Sequence, residues 1–257
     1  MFSGVMSEKP DIHFTIVIPT LNCSQWVENC LSSVCNQSYS NYDVIYIDDA
    51  STDGTAEAVE AFLKLYPFAQ GLFKLVKNPF NKGKMENIYH TITEAKDGTV
   101  IVIVDGDDWL AHSNVLAKLA SIYSSSDIWM TNGSYEVAPT GEVVTPRVEN
   151  SYWEGNIRHK SWEFSHLGTF KKELFCRIKR KDLMNKRGEF WSTTSDQAIM
   201  WPMAEMCGPD HFREVSEVLY IYNRLNPLSD DRVHREDQLM TEQNIRSAVP
   251  YSRLKAL

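Results

Sequence analysis

The sequence lacks several features that would each place it in a familiar class. Nowhere along its 257 residues is there an apolar run of 18, so nothing in it reads as a transmembrane helix. Residues 1–9 have no apolar core of the kind a secretory signal carries. The five cysteines (Cys23, Cys30, Cys35, Cys176 and Cys207) are odd in number and include no Cys-x-x-Cys pair. A disulfide framework and a thiolate zinc site are therefore disfavoured, and reduced thiols of a cytoplasmic protein are expected. Positive charge is also scarce: 26 Lys and Arg face 34 Asp and Glu, a formal net charge of -8, which argues against a nucleic-acid partner. No Gly-x-Gly-x-x-Gly follows the first apolar run and no Gly-x-x-x-x-Gly-Lys-Ser/Thr occurs anywhere. A nicotinamide dehydrogenase and a P-loop NTPase are disfavoured for that reason. No internal repeat or low-complexity linker divides the chain, which is expected to form one domain.

What the sequence does have is a regular alternation. Residues 13–19 (His-Phe-Thr-Ile-Val-Ile-Pro) read as a buried strand, followed by a turn and a helix to about Gln37 with Trp26, Cys30, Leu31 and Val34 at helical spacing. A strand at 42–47 precedes a helix carrying Ala58, Val59, Phe62 and Leu65 on one face. A strand at 72–76 leads through Asn78-Pro79-Phe80-Asn81-Lys82-Gly83-Lys84 into a helix to about Ala95. Strands that alternate with helices of this length form a doubly wound, mostly parallel α/β sheet. Ligands bind such sheets beyond the carboxyl ends of the strands, at the point where strand order reverses. Pro19-Thr20, Asp48-Asp49 and Asp105 to Asp108 all fall at such ends and should converge on one crevice.

The most informative stretch is Thr99-Val100-Ile101-Val102-Ile103-Val104-Asp105-Gly106-Asp107-Asp108-Trp109-Leu110. Its branched apolar run is typical of a strand buried on both faces, and it runs directly into three carboxylates spread over four positions. Like charges that close resist joint ionisation, and a bound divalent cation removes the conflict. Hard carboxylate oxygens at a strand end suit Mg²⁺ or Mn²⁺ and leave positions open for substrate phosphates. The plainer reading is an Asp-rich turn whose last carboxylate caps a helix starting near Ser113.

Beyond residue 131 the pattern changes. Residues 134–144 alternate around Pro139-Thr140-Gly141 and read as a hairpin. Aromatics gather at Tyr152, Trp153 and Trp162, helices are expected near 171–178 and 195–206, and a strand at 214–222 leads to Asn226-Pro227 and a last helix from about Asp231. The chain thus divides into an alternating α/β half (11–131), a lid-like or acceptor-binding extension (132–227) and a helical tail (228–257).

Together these segments resemble family 2 glycosyltransferases of the GT-A fold. Ile16-Val17-Ile18-Pro19-Thr20-Leu21-Asn22 and the helix ending Leu31-Ser32-Ser33-Val34-Cys35-Asn36-Gln37-Ser38-Tyr39 are similar to that family's opening. Ile47-Asp48-Asp49-Ala50-Ser51-Thr52-Asp53-Gly54-Thr55 resembles its Asp-Asp-Gly-Ser-x-Asp segment, with Ala50 where glycine is usual. Val104-Asp105-Gly106-Asp107-Asp108 resembles its Asp-x-Asp metal motif. The four motifs stand in order over residues 13–131. The resemblance implies that 11–131 is the nucleotide-sugar-binding half and 132–227 the acceptor and catalytic-base half.

The resemblance implies transfer of one sugar, with inversion, from a nucleotide-diphosphate donor, a uridine one above all, to a hydroxyl of a glycan or lipid-linked glycan. It implies that Asp49 or Asp48 reads the base, that Asp105 and Gly106 sit near the ribose beside Pro19 and Thr20, and that Asp107 and Asp108 hold Mn²⁺ or Mg²⁺. Where the family often has an arginine, this chain has Met85-Glu86-Asn87, so the diphosphate falls to Lys82 or Lys84. Where the family often stacks an aromatic on the base, this chain has Leu21. His166-Leu167-Gly168-Thr169-Phe170 is similar to the segment closing over the donor sugar, which implicates His166 and Thr169; His166 and His234 are also candidate metal or phosphate contacts. Thr194-Ser195-Asp196-Gln197 stands where inverting members keep an acidic residue before a helix, which makes Asp196 the general base, against a plain helix-capping role. Trp153, Trp162 and Trp191 are candidate sugar-stacking faces or core. The Gln-x-x-Arg-Trp of processive synthases is missing, so a single-addition enzyme is expected, with peripheral membrane contact left open. A nucleotidyltransferase acting on sugar phosphates and an inactive nucleotide-sugar-binding module are the rival readings.

Overall fold

The computed structural model describes residues 11–125, 127–227 and 235–257. His234 and the expected start of the last helix at Asp231 lie outside the described residues. Strands β1 (Phe14–Thr20), β2 (Tyr42–Asp48), β3 (Phe73–Lys77) and β4 (Val100–Ile103) pair in parallel in the order β3-β2-β1-β4. The sheet continues through β8 (Thr169–Lys171), β6 (Met130–Ala138) and β9 (Phe212–Asn223) to β5 (Trp109–Leu110), with β7 (Glu142–Val144) hairpinned onto β6. Because β8 is antiparallel to both β4 and β6, and β6 is parallel to β9, strands β6 and β9 run with β1–β4. Only β5, β7 and β8 among the described strands run against them, so the sheet is mostly parallel in strand direction, as the alternation predicts.

The continuous apolar runs are explained by helices on both faces. Every residue of β1 is buried. Its side chains alternate: Phe14, Ile16 and Ile18 face α1 (Val27–Cys35), α2 (Thr55–Leu65) and α4 (Val115–Ser125), while Val17 faces α3 (Lys84–Glu94) and α6 (Ser195–Cys207). β2 divides the same way, Val44 and Tyr46 against Ile45 and Ile47, as the two-residue period of a strand requires. On α2 the buried face is Thr55, Ala56, Val59 and Phe62. Leu65, in the last turn, is 70% exposed, so that apolar stripe ends a turn earlier than its spacing suggests. The hairpin expected over 134–144 is entered by a longer strand, the nine-residue β6, which begins at Met130.

Two features position the site. Thr20 is in register with Asp48 across the β1–β2 pair, which brings the first two loops together at one edge. Trp109 and Leu110 pair with Ile221 and Tyr220 of β9, which carries the end of β9 behind the 105–108 turn. A short helix, α5 (Lys172–Phe175), follows β8, and the last helix, α7 (Arg235–Ser247), packs on α6.

α7 is fastened through one buried ion pair. Arg158 grips Glu205 of α6 with two bonds, Nε to Oε1 at 2.6 Å and Nη2 to Oε2 at 2.8 Å, and donates from Nη1 to the carbonyl of Ile245 at 2.8 Å. Glu205 also accepts from the Tyr251 N–H at 2.9 Å. The two side chains are only 2% and 5% exposed, so removing one leaves the other charge buried without a partner. Glu205→Ala is expected to lower stability by about 3–5 kcal/mol in urea unfolding, and the Arg158→Met/Glu205→Leu pair by much less. A double variant as damaged as the single one would contradict this account.

Candidate functional site

The edge where β1, β2 and β4 end opens as a cleft of about 780 Å³. It is lined by Pro19, Thr20, Asp49, Lys82, Lys84, Asp105, Gly106, Asp107, Asp108, His166 and Asp196, so eleven of the thirteen expected site residues meet there.

The other two do not line it. Thr169 is fully buried, its Oγ1 within 2.9 Å of the Tyr123 hydroxyl and 2.6 Å of Thr131 Oγ1. It belongs to β8, held between β4 and β6, and the strand's alternation turns it into the interior rather than toward a donor sugar. Asp48 is buried, with Oδ1 accepting from the Ser51 N–H at 3.3 Å, so it shapes the turn after β2 and Asp49 is the one facing the cleft. Among the tryptophans, Trp162 and Trp191 reach the cleft, whereas Trp153 packs edge-on against Phe212 and Tyr152.

Strained backbone gathers around this cleft. The described non-glycine residues with a left-handed backbone are Asn22 (φ 54°), Ala50 (φ 63°) and Thr194 (φ 60°), each in a loop at its edge. The first two loops are stitched together: Thr52 N–H donates to Asn22 Oδ1, Cys23 N–H to Thr55 Oγ1 and Ser24 N–H to Asp53 Oδ2, each at 2.9 Å. Burial alone would raise the Asp53 carboxyl, but its bonds from Thr55 and Ser24 win and hold it below its ordinary value.

The acidic turn is held from behind by β9. Tyr220 Oη accepts from the Asp105 N–H at 3.1 Å and donates to Asp108 Oδ2 at 2.7 Å. Asp108 Oδ1 accepts from the Asn223 N–H at 2.7 Å, and Asn223 Nδ2 donates to the carbonyl of Asp107 at 2.9 Å. Asp108 is therefore 1% exposed with both oxygens bonded to β9, and it does not cap α4. Asp107 is less enclosed, with Oδ2 accepting from Asn226 Nδ2 at 2.7 Å. Asp105 pairs with Lys84 Nζ at 2.6 Å.

The charges respond as crowded carboxylates should. Burial lifts Asp107 above its ordinary pKa and the charge of Asp105 adds to it; Asp108 is driven well up by burial and by both neighbours. Burial would lift Asp105 too, but the Lys84 ammonium and His166 hold it down. His166, stacked on Tyr220 at 4.8 Å and Tyr222 at 5.7 Å, is lowered chiefly by burial, against the pull of Asp105. Hard oxygens around a charge conflict fit a divalent cation, with Asp107 less enclosed than Asp108. Among the described residues no cluster of three or more His, Cys, Asp or Glu side chains is arranged to hold a metal.

On the opposite wall Asp49 organises the loop before α3. Its Oδ1 accepts from Asn78 Nδ2 at 2.7 Å and Lys82 N–H at 3.0 Å, and its Oδ2 from Gly83 N–H at 2.8 Å. Gly83 has φ +87°, ψ 152°, a conformation glycine alone adopts without strain. Asp196 lies in the first turn of α6, exposed, and Thr194 at the N-cap makes no side-chain cap bond, so the capping explanation for this segment finds no support. Two buried amide atoms on the lining, Asn87 Nδ2 and Gln197 Oε1, have no hydrogen-bond partner among the described residues. Asn78, Asn87, Gln197, Tyr220, Asn223 and Asn226 escaped sequence reasoning, because asparagine in a loop reads as turn chemistry and tyrosine in a strand as core.

The description Glycosyl transferase family 2 matches residues 15–187, two thirds of the chain and all three cleft-forming strand ends. The chain belongs to that family. Among curated relatives it is 28% identical over 135 residues to the UDP-Glc:alpha-D-GlcNAc-diphosphoundecaprenol beta-1,3-glucosyltransferase WfgD of Escherichia coli, covering 52% of this chain and 50% of that protein. It is 27% identical over 121 residues to the glycosyltransferase GlyG of Streptococcus pneumoniae, covering 47% and 38%. The chain spans about half the length of the curated relatives it matches. Solved structures share the fold: S. aureus TarS 1-349 in complex with UDP-GlcNAc superposes with TM-score 0.68 at 17% identity, over 91% of this chain and 65% of that one. The mannosyltransferase PcManGT from Pyrobaculum calidifontis, in complex with GDP-Man and Mn²⁺, superposes with TM-score 0.62 at 21% identity, over 95% and 67%. These are GT-A proteins, and the fold of this chain is GT-A.

Gly106 gives the site its sharpest steric test. A Cβ there would lie 1.8 Å from Thr20 Cγ2 and 2.9 Å from Thr20 Cβ, so the acidic turn can approach β1 only without a side chain. Gly106→Ala is expected to cost about 1–3 kcal/mol in urea unfolding. Thr20→Ser in the same chain should return part of that, because serine drops the methyl and keeps the hydroxyl that donates to the Ile47 carbonyl at 2.7 Å. No recovery in the double variant would place the strain elsewhere.

Proposed function

We infer that this domain transfers one sugar, with inversion, from a nucleoside-diphosphate sugar to a hydroxyl of a glycan or lipid-linked glycan, with Mn²⁺ or Mg²⁺ bound. The observation carrying this reading is the meeting of three groups in one cleft: the Asp105 to Asp108 turn, the Asp49-bound loop leading into α3, and Asp196 on α6. Support for the donor class comes from relatives and neighbours named for, or bound to, UDP-Glc, UDP-GlcNAc and GDP-Man. Support for a metal comes from neighbours holding Mn²⁺, including glucosyl-3-phosphoglycerate synthase from Mycobacterium tuberculosis in complex with Mn²⁺, UDP-Glc and phosphoglyceric acid. The lipid-linked acceptor is suggested by the diphosphoundecaprenol in the name of the E. coli relative.

Each residue then has a role. Asp49 accepts from the ring N–H of the base, and Asp105 with Gly106 sits against the ribose. Asp107 holds the cation, while Asp108, bonded to Tyr220 and Asn223, keeps the turn in place. When bound, the metal supplies Lewis-acid neutralisation of the departing diphosphate. Lys82, Lys84 and the N-terminal turn of α3 add positive potential on the same side. As the bond to the leaving diphosphate lengthens, the anomeric carbon gains oxocarbenium character. Asp196, in the first turn of α6, takes the proton of the acceptor hydroxyl on its carboxylate from the opposite face. Trp162 and Trp191 offer apolar faces to the sugars.

Two variants separate these roles. Asp107→Ala should fold normally and lose metal-dependent affinity for uridine diphosphate in calorimetry with and without Mn²⁺; undiminished metal-dependent binding would sink the assignment. Asp196→Asn keeps size but cannot take the proton, and turnover should fall about 10²- to 10⁴-fold with donor affinity nearly unchanged. Turnover near that of the parent protein, with acceptor saturating, would mean the base lies elsewhere.

A further inference from the structure

The wall of the cleft formed by β2 and α3 carries a hydrogen-bond relay whose far end meets no acceptor among the described residues. Both Asp49 oxygens accept in this wall, so Asn78 turns its amide nitrogen toward Oδ1, at 2.7 Å. The same nitrogen donates its second hydrogen to Asn87 Oδ1, also at 2.7 Å. Asn87 is thereby fixed with its own amide nitrogen turned away from Asn78. That nitrogen belongs to a side chain 6% exposed, lies on the cleft lining, and has no acceptor among the described residues. Leaving a buried amide donor unsatisfied is costly, which favours a ligand able to accept there. Beside it, Asp49 Oδ2 receives one bond, from Gly83, and has a lone pair left. One wall therefore presents an acceptor and a donor side by side, both set by the single amide nitrogen of Asn78.

We propose that Asn87 is a base-specificity residue, donating from Nδ2 to the ring carbonyl next to the ring N–H that Asp49 accepts. The assignment rests on the nucleotide-donor reading above and adds to it a residue that reads the base. A ring N–H flanked by a carbonyl is the edge of uracil and of guanine. Cytosine and adenine present an unprotonated ring nitrogen there, which sets acceptor against acceptor at Asp49; the amino group beside it sets donor against donor at Asn87 for adenine, and for cytosine where that side faces Asn87. Selectivity then arises from repulsion of the wrong base as much as from attraction of the right one. Asn87 lies in the first two turns of α3, so the base would be read at the same helix end that faces the diphosphate.

The test is calorimetry of UDP, GDP, CDP and ADP with Mn²⁺ on the parent protein and on Asn87→Asp. The variant still accepts from Asn78 but presents an acceptor where the donor stood. The parent should bind UDP or GDP at least about tenfold more tightly than CDP and ADP, and the variant should lose about tenfold for that preferred ligand while CDP and ADP change little. Thermal melting of the variant checks its fold. A second measurement needs no variant: replacing either ring oxygen of UDP by sulfur, a weak acceptor, should in one of the two positions reduce affinity for the parent about three- to tenfold. Equal loss of all four nucleotides in a folded variant, no effect of either sulfur, or equal binding of the four by the parent would overturn the role of Asn87 and leave the donor reading standing. Failure of all four to bind would overturn both.

Discussion

Three carboxylates within four residues must be kept in one turn, and the architecture around that turn follows from the requirement. Left in water, Asp105, Asp107 and Asp108 would separate; here burial makes their repulsion worse, and the strand order supplies the remedy. β9 comes back beside β5, so that Tyr220 and Asn223 stand behind the turn and bond both oxygens of Asp108. Lys84, from the other side of the cleft, pairs with Asp105. The three acids end in three different states, one charge-paired, one held from behind and one facing the cleft, which is how a run of like residues comes to do different jobs.

The same turn imposes a steric demand on β1. Gly106 lies against Thr20, whose hydroxyl is spent on the Ile47 carbonyl, so β1, β2 and the turn after β4 are locked at their common edge. Asp49 does on one wall what Tyr220 does on the other, spending a buried acid on backbone and amide donors so that the residues 78–83 loop and the start of α3 stay where a diphosphate would meet them. Rigidity here comes from polar groups satisfied by other loops, and the left-handed Asn22, Ala50 and Thr194 are the local cost of it.

Much of this was legible from sequence because its signals are local. Branched apolar runs followed by Asp-Asp or Asp-Gly-Asp-Asp define strand ends, and the alternation of strands with helices orders them. What stayed hidden depends on contacts across the chain. Asp48 and Asp49 are adjacent and chemically identical; only the register of β2 against β1 decides which one faces the cleft. Thr169 sits in a motif similar to a donor-closing segment, yet its place between β4 and β6 turns it inward. Tyr220 and Asn223 lie more than 110 residues from the acid they hold, and no periodicity carries that information. Asn87 looked like a gap where an arginine was expected; its meaning needs Asn78 and Asp49 on either side of it.

The central claim is that the cleft binds a nucleoside-diphosphate sugar and breaks its sugar–phosphate bond. Incubating the pure protein with a panel of nucleotide sugars, with Mn²⁺ or with a chelator, and following free nucleoside diphosphate addresses it most directly. The account predicts release from one class of nucleotide sugar, with uridine or guanosine as the base, that ceases when the metal is chelated. Pyrophosphate release from a nucleoside triphosphate and a sugar phosphate, with no nucleotide sugar consumed, would contradict it and identify a nucleotidyltransferase instead.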